Sequence, residues 1–448
     1  MSIDISGQNA KLETTSIAIL VHNSESLIKL ANSIPWEKMF DAVCADLKAT
    51  TSKGLWNVGR RIVVRIHLAI FLLQKIFDLT DRGVIERLQS DAVFQVFCGI
   101  SIVNKWHVPA FTKVEEFRNR LSIETQQHLT NLICQEAVKF GFANPKIIDV
   151  DSTVQEANMA YAADGNLMVK LGNKVGKVFN WLRDNAKVAI PEGIETTLGR
   201  LGTLAKGYFF ASKKDDLKRA AFAKLHHHVK IIVRKGLEVF ESLPASCTEA
   251  MPWNIKLHFD HITDLGKRYL LDVAHYIRKG TMKSGKILAF HLKEIAYIKK
   301  GKTGKMPQFG REFQIARLAG NFVFAPISTS VRTNDKGALR QIIDLHLQLF
   351  GERMLKSLAT DKGYYSRANI NATEEIDDVH LGYQWQDQQT EEFHRLRNRR
   401  AGIEPIIGHI KFGGQLGRSR MKSDQATHAA GYGAMLGFNL RQIMRKMH

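Results

Sequence analysis

The segment Ile147-Ile148-Asp149-Val150-Asp151-Ser152-Thr153-Val154 constrains this chain more than any other stretch. It is dominated by β-branched residues and bounded by Asn144-Pro145, which predicts a strand. Side chains alternate along a strand, so the two acids at i and i+2, Asp149 and Asp151, point the same way. Two carboxylates on one face of a central strand are costly unless a cation or a donor compensates them. The fold must therefore supply positive groups here, or the acids must serve a site.

A chain of 448 residues allows roughly two to four domains. Residues 1–35 read as a poorly structured or peripheral arm, and residues 36–140 as helical. Ile62, Ile66, Ile70 and Leu73 recur at helical spacing, and Thr80 or Asp81 is placed to N-cap a short helix carrying Val84, Ile85 and Leu88. Thr112-Lys113-Val114-Glu115 has the form of a capping box opening a helix with Arg118 and Arg120. Short basic helices in this order suit a helix-turn-helix reader or a structural helical subdomain.

After the acidic strand, residues 157–287 are again helical. The triplet His226-His227-His228 is a poor metal site, because consecutive helix positions face about 100° apart. Extended texture returns at Ile295–Lys299, Phe313–Leu318 and Phe322–Ile327, with a basic turn holding Lys302 and Lys305 between the first two. Its glycines lack phosphate-loop spacing. Ala338–Glu352 reads as an amphipathic helix and Met354–Thr360 as a short strand. Asp361 stands at the carboxyl end of that strand, where ligands of mixed α/β sheets tend to bind.

The charge is one-sided. Residues 276–320 carry a balance of +9 and residues 391–448 a balance of +7, out of +20 for the chain. Such segments fit phosphate contact along a duplex, where affinity comes from counterion release. The four cysteines, Cys44, Cys98, Cys134 and Cys247, form no C-x-x-C pair, so a structural zinc site of that kind is not expected. The first residues lack the order of a secretory signal, and the longest apolar stretch is too short and too charged to span a bilayer. Sparse, isolated cysteines suit a reducing cytosol, so a cytoplasmic location is the expectation.

Within Arg395–Lys411, Glu404 is the single acid between Glu392 and Asp424. Arg400, Glu404 and Lys411 fall at i, i+4 and i+11, along about three turns of one helix face. Pro405 places a helix start or kink near Glu404. A surface ion pair with Arg400 is the simplest role for Glu404.

Asp151-Ser152-Thr153-Val154-Gln155-Glu156, Asp361-Lys362-Gly363-Tyr364 and the spaced set Arg400, Glu404, Lys411 together resemble the DDE transposases of bacterial insertion sequences. The similar group is the one with the Y-x-x-R-x-x-x-E-x-x-x-x-x-x-K signature. Arg397 stands where that signature has Tyr. The resemblance runs from about residue 40 onward. It implies an α/β fold: an RNase H-like mixed sheet flanked by helices, with a helical insertion (157–287) between the first two acidic motifs and an all-helical N-terminal domain (36–140). The catalytic domain would span 141–448.

The resemblance further implies Asp151, Asp361 and Glu404 as catalytic carboxylates holding two Mg²⁺ ions, with Mn²⁺ as substitute. Arg400, Lys411 and Arg397 would contact DNA beside them, with Lys302, Lys305, Arg118 and Arg120 elsewhere on the duplex. The implied reaction is cleavage at transposon ends and joining of the 3′-hydroxyl to target DNA. Its partners are double-stranded DNA, both terminal repeats and target, and a second copy of the chain in a homodimer on DNA. Asp149 competes with Asp151 for the role of first acid. The alternatives are a catalytically silent DNA-binding protein derived from such an enzyme, and an RNase H-like nuclease without strand transfer.

Overall fold

The structure, a computed structural model, describes residues 26–49, 58–99, 108–159, 164–211, 215–281, 283, 285–299, 307–328, 330–332, 334–382 and 390–447. Lys302 and Lys305 lie outside the described residues. The chain divides into two compact units. One comprises residues 1–158 with 297–448, and the other residues 159–296. Among the described residues no helix is long and apolar enough to cross a membrane.

Among the described residues, the first unit begins with the helices α1 (Ser26–Ser33), α2 (Trp36–Ala49), α3 (Val58–Phe77), α4 (Asp81–Ser90), α5 (Ala92–Phe97), α6 (Phe111–Arg120) and α7 (Ile123–Lys139). The expected arm over 1–35 is wrong from Ser26 onward. Leu27, Leu30, Ala31 and Ile34 recur at helical spacing and are buried in the main core. Of the two residues placed to cap α4, Thr80 does so, its hydroxyl accepting from the Gly83 amide at 3.0 Å. The expected capping box at Thr112 does not form. The N-cap of α6 is Ala110, without a side-chain bond, and Thr112 falls inside the first turn. Phe111 packs under the Arg82 guanidinium at 4.1 Å, and this tertiary contact sets the helix start.

The sheet follows: β1 (Asn144–Glu156), β2 (Ala296–Ile298), β3 (Gln308–Ala319), β4 (Phe322–Phe324), β5 (Ser357–Thr360) and β6 (Asp378–His380). The strand order is β2-β3-β1-β5-β6, with β4 also pairing β3. β1 runs antiparallel to β3 and parallel to β5, and β5 runs parallel to β6. The sheet is therefore mixed, and β1 is central in it.

Its two faces are covered by different helices. Ile148, Val150, Ala316, Leu318 and Leu358 join the core built with α1–α7, α14 (Asp335–Phe350) and part of α18 (Asp424–Lys446). Phe313 and Ile315 face a smaller core with Ile403, Ile406 and Ile410 of α17 (Ile403–Phe412) and Tyr432, Met435 and Phe438 of α18. The N-terminal helices thus share one core with the sheet, so the expected domain boundary near residue 140 is not a boundary between cores. Remaining elements are α15 (Arg367–Ala372) and α16 (Glu391–Ala401). Asn439 of α18 pairs like a strand with Val323, its amide donating to the carbonyl at 2.8 Å and accepting from the N–H at 3.0 Å.

The second unit is helical: α8 (Asp164–Ala186), α9 (Ile194–Phe210), α10 (Asp215–Glu241), α11 (Ala245–Glu249), α12 (Trp253–His261), a π turn (Ile262–Gly266) and α13 (Lys267–Lys279). Its core is its own, built on Leu171, Val175, Val178, Phe222, Val229, Ile232 and Tyr269. His226–His228 lie on α10. The His226 ring meets the Leu270 carbonyl at 3.0 Å and the His228 ring meets the Lys224 carbonyl at 2.8 Å, so both are used locally.

Candidate active site

β1 and β5 run side by side, with Val150 opposite Thr360. Asp151 and Asp361 come next, just where the parallel pairing ends: Asp361 follows the last residue of β5, while Asp151 lies inside β1, which runs on to Glu156 against β3. Asp361 caps the 3-10 turn Lys362–Tyr364, its Oδ1 accepting from the Lys362 N–H at 2.7 Å. Gly382, just after β6, holds this turn from behind. Its φ is +70°, and a Cβ there would lie 2.2 Å from the Lys362 nitrogen. Only glycine lets the two backbones approach so closely.

The two aspartates of β1 are answered by adjacent arginines of one helix. Arg399 of α16 donates to Asp149 Oδ1 at 2.8 Å and to Ser357 Oγ at 2.6 Å. Arg317 of β3 donates to the other Asp149 oxygen and, at 2.9 Å, to the Arg399 carbonyl. A Cβ at Gly402 would lie 2.6 Å from Arg317 Nη1, so glycine leaves room for that guanidinium. The Asp149 side chain is 2 % exposed. It is a buried carboxylate closed off by two cations, a structural ion cluster that is unsuited to ligand binding.

Asp151 is more open, at 19 % exposure. Its Oδ1 accepts from the Ser152 N–H at 2.7 Å and its Oδ2 from Arg400 Nη1 at 3.3 Å. The other end of the same guanidinium reaches Glu404 Oε1 at 3.4 Å. Glu404 stands in the first turn of α17, and its side chain is 63 % exposed. α16 ends at Ala401 and α17 begins at Ile403, so the break falls where Pro405 placed it. Arg400 therefore bridges the first and third of the motif acids.

The three motif acids, far apart in sequence, are not gathered into one ligand set. Among the described residues no group of three or more His, Cys, Asp or Glu side chains is close enough to hold a metal ion. Arg400 occupies the position between Asp151 and Glu404 that a cation would neutralise. The donor set itself is right for a hard divalent cation, since all three are carboxylates.

A polar layer under the site went unread in the sequence. The Tyr364 hydroxyl donates to Gln314 Oε1, and Gln314 Nε2 donates to Asp335 Oδ1 at 2.8 Å. Burial, and then the nearby carboxylates Asp335, Asp151, Glu312 and Asp361, push the Tyr364 hydroxyl well above its ordinary pKa, so it stays a donor. His380, at the end of β6, is buried, and its Nδ1 has no hydrogen-bond partner. Burial first, then Arg400, Arg397 and Arg399, lower its pKa to about 4. It is neutral beside a cationic helix. No motif marks these residues, which come together from strands and helices far apart in sequence.

The other residues expected to contact DNA are divided. Arg397 is exposed on α16, and Lys411 is partly buried on α17. Arg118 is paired with Asp81, which also accepts from Gln74 at 2.8 Å, and this ties α6 to α4. Arg120 donates to the Leu47 carbonyl at 2.9 Å. These two arginines hold helices together.

Comparisons with known proteins bear on the N-terminal helices. Residues 16–120 match the family described as Transposase domain (DUF772). A protein of Rhizobium meliloti, described as an uncharacterized protein (ORF8) in the nfe locus, is 25 % identical over 156 residues, which is 34 % of this chain and 71 % of that protein. No solved structure matches. Over its N-terminal helices, this chain is similar to a transposase domain.

Proposed function

We propose that the protein is a DDE-type DNA transposase that cuts at transposon ends and joins the 3′-hydroxyl to target DNA. The observation that carries the reading is the placement of Asp151 and Asp361 as the next residues after the parallel pairing of β1 with β5, with Glu404 joined to Asp151 through Arg400. The strand order supports it as well. An antiparallel β1-β3-β4 meander continued by parallel β5 and β6 is the arrangement expected of an RNase H-like core, with residues 159–296 read as an insertion between the first two acids. The match of residues 16–120 to a transposase domain agrees with it.

Asp151 and Asp361 would hold the divalent cations, with Glu404 as the third carboxylate. When bound, such ions supply Lewis-acid stabilisation of the attacking and leaving oxygens in an in-line displacement. The chain's own residues do the positioning. The exposed Arg397, with Arg400 and Lys411, lies on the two consecutive helices that carry the third acid, α16 and α17. A scissile phosphate bound by Arg400 would draw its guanidinium away from Asp151 and Glu404 and leave both carboxylates for cations. The resting pairing then keeps like charges apart until DNA arrives. Paired cutting of two ends calls for a homodimer on DNA.

Mg²⁺-dependent cleavage of DNA carrying the candidate element ends tests this. The wild type should cut, while Asp151→Asn, Asp361→Asn and Glu404→Gln should bind the same DNA and leave it intact. A wild type that binds the ends and never cuts, with Mg²⁺ or Mn²⁺, would replace the enzyme with a silent DNA-binding protein. The Arg400 bridge between two of the three acids is the observation that favours that second reading.

A further inference from the structure

The helical unit 159–296 contains a cleft of about 430 Å³, within the size range of ligand sites. One wall is a face of α8, where Asn166, Lys170, Asn173 and Lys177 are exposed and Lys174 sits beside them. The opposite wall carries His258 and His261 of α12, together with residues 288–291. Among the described residues no Asp or Glu lines it. Neither Lys170 nor Lys177 has an ion-pair partner among the described residues.

The centre of the cleft is built. Lys174 Nζ lies 3.0 Å from His258 Nδ1 and 3.0 Å from His261 Nδ1. An ammonium has only donors, so both Nδ1 atoms must accept. The rings are then neutral, with their remaining proton on Nε2. Burial and the neighbouring Lys174 bring both imidazoles down to about 4, which agrees with that assignment. Burial, then Lys177 and Lys170, lower Lys174 to about 8. The π turn Ile262–Gly266 follows His261 directly, an irregularity that frequently marks functional sites. The walls offer many donors, from the ammoniums, the imidazole N–H groups and the amide NH₂ groups of Asn166 and Asn173.

Like charges on one helix face repel and cost stability unless an anion is present. From this cluster we infer that the cleft binds phosphate esters of a nucleic-acid strand. The chemistry that it recognises is the phosphate oxygen. The length of the wall favours a strand over one phosphate group. Lys170 and Lys177 are seven residues apart on α8, roughly 10 Å along the axis. Backbone charges recur about every 3.4 Å of axis on each strand, so the face spans more than one of them. Leu167, Leu257 and Phe290 add apolar wall against which a sugar or base can rest.

The test is the salt dependence of DNA binding by the full-length chain, read by anisotropy of a labelled duplex and a labelled single strand without divalent metal. Lys170→Ala with Lys177→Ala should weaken binding and reduce the log–log salt slope by roughly 2, at about 0.9 per phosphate contact. Lys170→Arg with Lys177→Arg should retain the slope. Arg200→Ala with Lys206→Ala, which removes two exposed cations of the same unit outside the cleft, should leave it unchanged. An unchanged slope in the cleft variant, or an equal drop in the Arg200/Lys206 control, overturns the inference. A parallel titration with inorganic phosphate separates the two sources. Calorimetric binding of free phosphate that the cleft variant loses, with DNA binding untouched, would overturn the strand in favour of a free anion. Because binding is read without divalent metal and without cleavage, its outcome is separate from that of the cleavage assay, whichever way the transposase reading falls.

Discussion

Asp149→Asn separates the two aspartates of β1 by stability. Asp149 is 2 % exposed and holds Arg399 at 2.8 Å as well as Arg317. The amide keeps the shape but removes the charge, leaving two guanidiniums in a closed site with no counter-ion. Breaking a buried pair in this way costs about 3–5 kcal/mol. The unit that contains it has roughly 310 residues, so its unfolding entropy gives a shift of roughly 1.5 °C per kcal/mol, and a Tm lower by about 5–8 °C. Asp151→Asn removes one 3.3 Å contact to Arg400 between partly open groups, worth about 1 kcal/mol or less. Thermal melts of the two variants by circular dichroism, beside the cleavage assay, give a crossed outcome. Asp149→Asn lowers Tm strongly, and Asp151→Asn lowers activity at nearly constant Tm. If Asp149→Asn melts within a degree of wild type, or Asp151→Asn suffers the larger loss, the ion-cluster assignment is refuted.

Gly382→Ala places a methyl group 2.2 Å from the Lys362 nitrogen at a φ of +70°. It should cost about 1–3 kcal/mol and abolish cleavage through displacement of Asp361, with DNA affinity retained in anisotropy. Unaltered cutting rates would show that the turn does not depend on this approach. The fold should also be acid-sensitive. Burial holds His258, His261 and His380 at about 4 and His428 at about 3, against 6.5 when unfolded. Between those values the unfolded state binds more protons, so stability is fully present above pH 6.5 and is lost as pH falls towards 4. Urea unfolding at steps from pH 7.5 to 4 should show that fall, and His428→Phe should make it shallower. A flat profile would mean that these rings are already charged in the fold.

The second acid and the third were legible as residues but not as a site. Asp361 could be placed at the end of a strand from Met354–Thr360 alone, and Pro405 next to Glu404 marked the start of α17. Neither observation says that Arg400 reaches both Glu404, four residues on, and Asp151, 249 residues back. Spacing along one helix sees the first contact and is blind to the second. The capping box failed for a similar reason: Thr112 has the local chemistry, but Phe111 under Arg82 decides where α6 begins. The cleft of the helical unit was invisible because Lys174 and the two histidines lie 84 and 87 residues apart.

By itself the sequence determined β1: its β-branched residues make a strand, and the period of two puts Asp149 and Asp151 on one side of it. It also narrowed the cap of α4 to Thr80 or Asp81 and marked a start or kink near Glu404, because these depend on residues within one turn. What only the tertiary structure decided is which acid is buried and which stays open. Two carboxylates two positions apart are chemically alike in the chain. Arg317 and Arg399 arrive at one, from 168 and 250 residues away, and neutralise it, while Arg400 meets the other at a partly exposed edge. Burial and long-range pairing set the electrostatics of a site, and neither is written in local spacing.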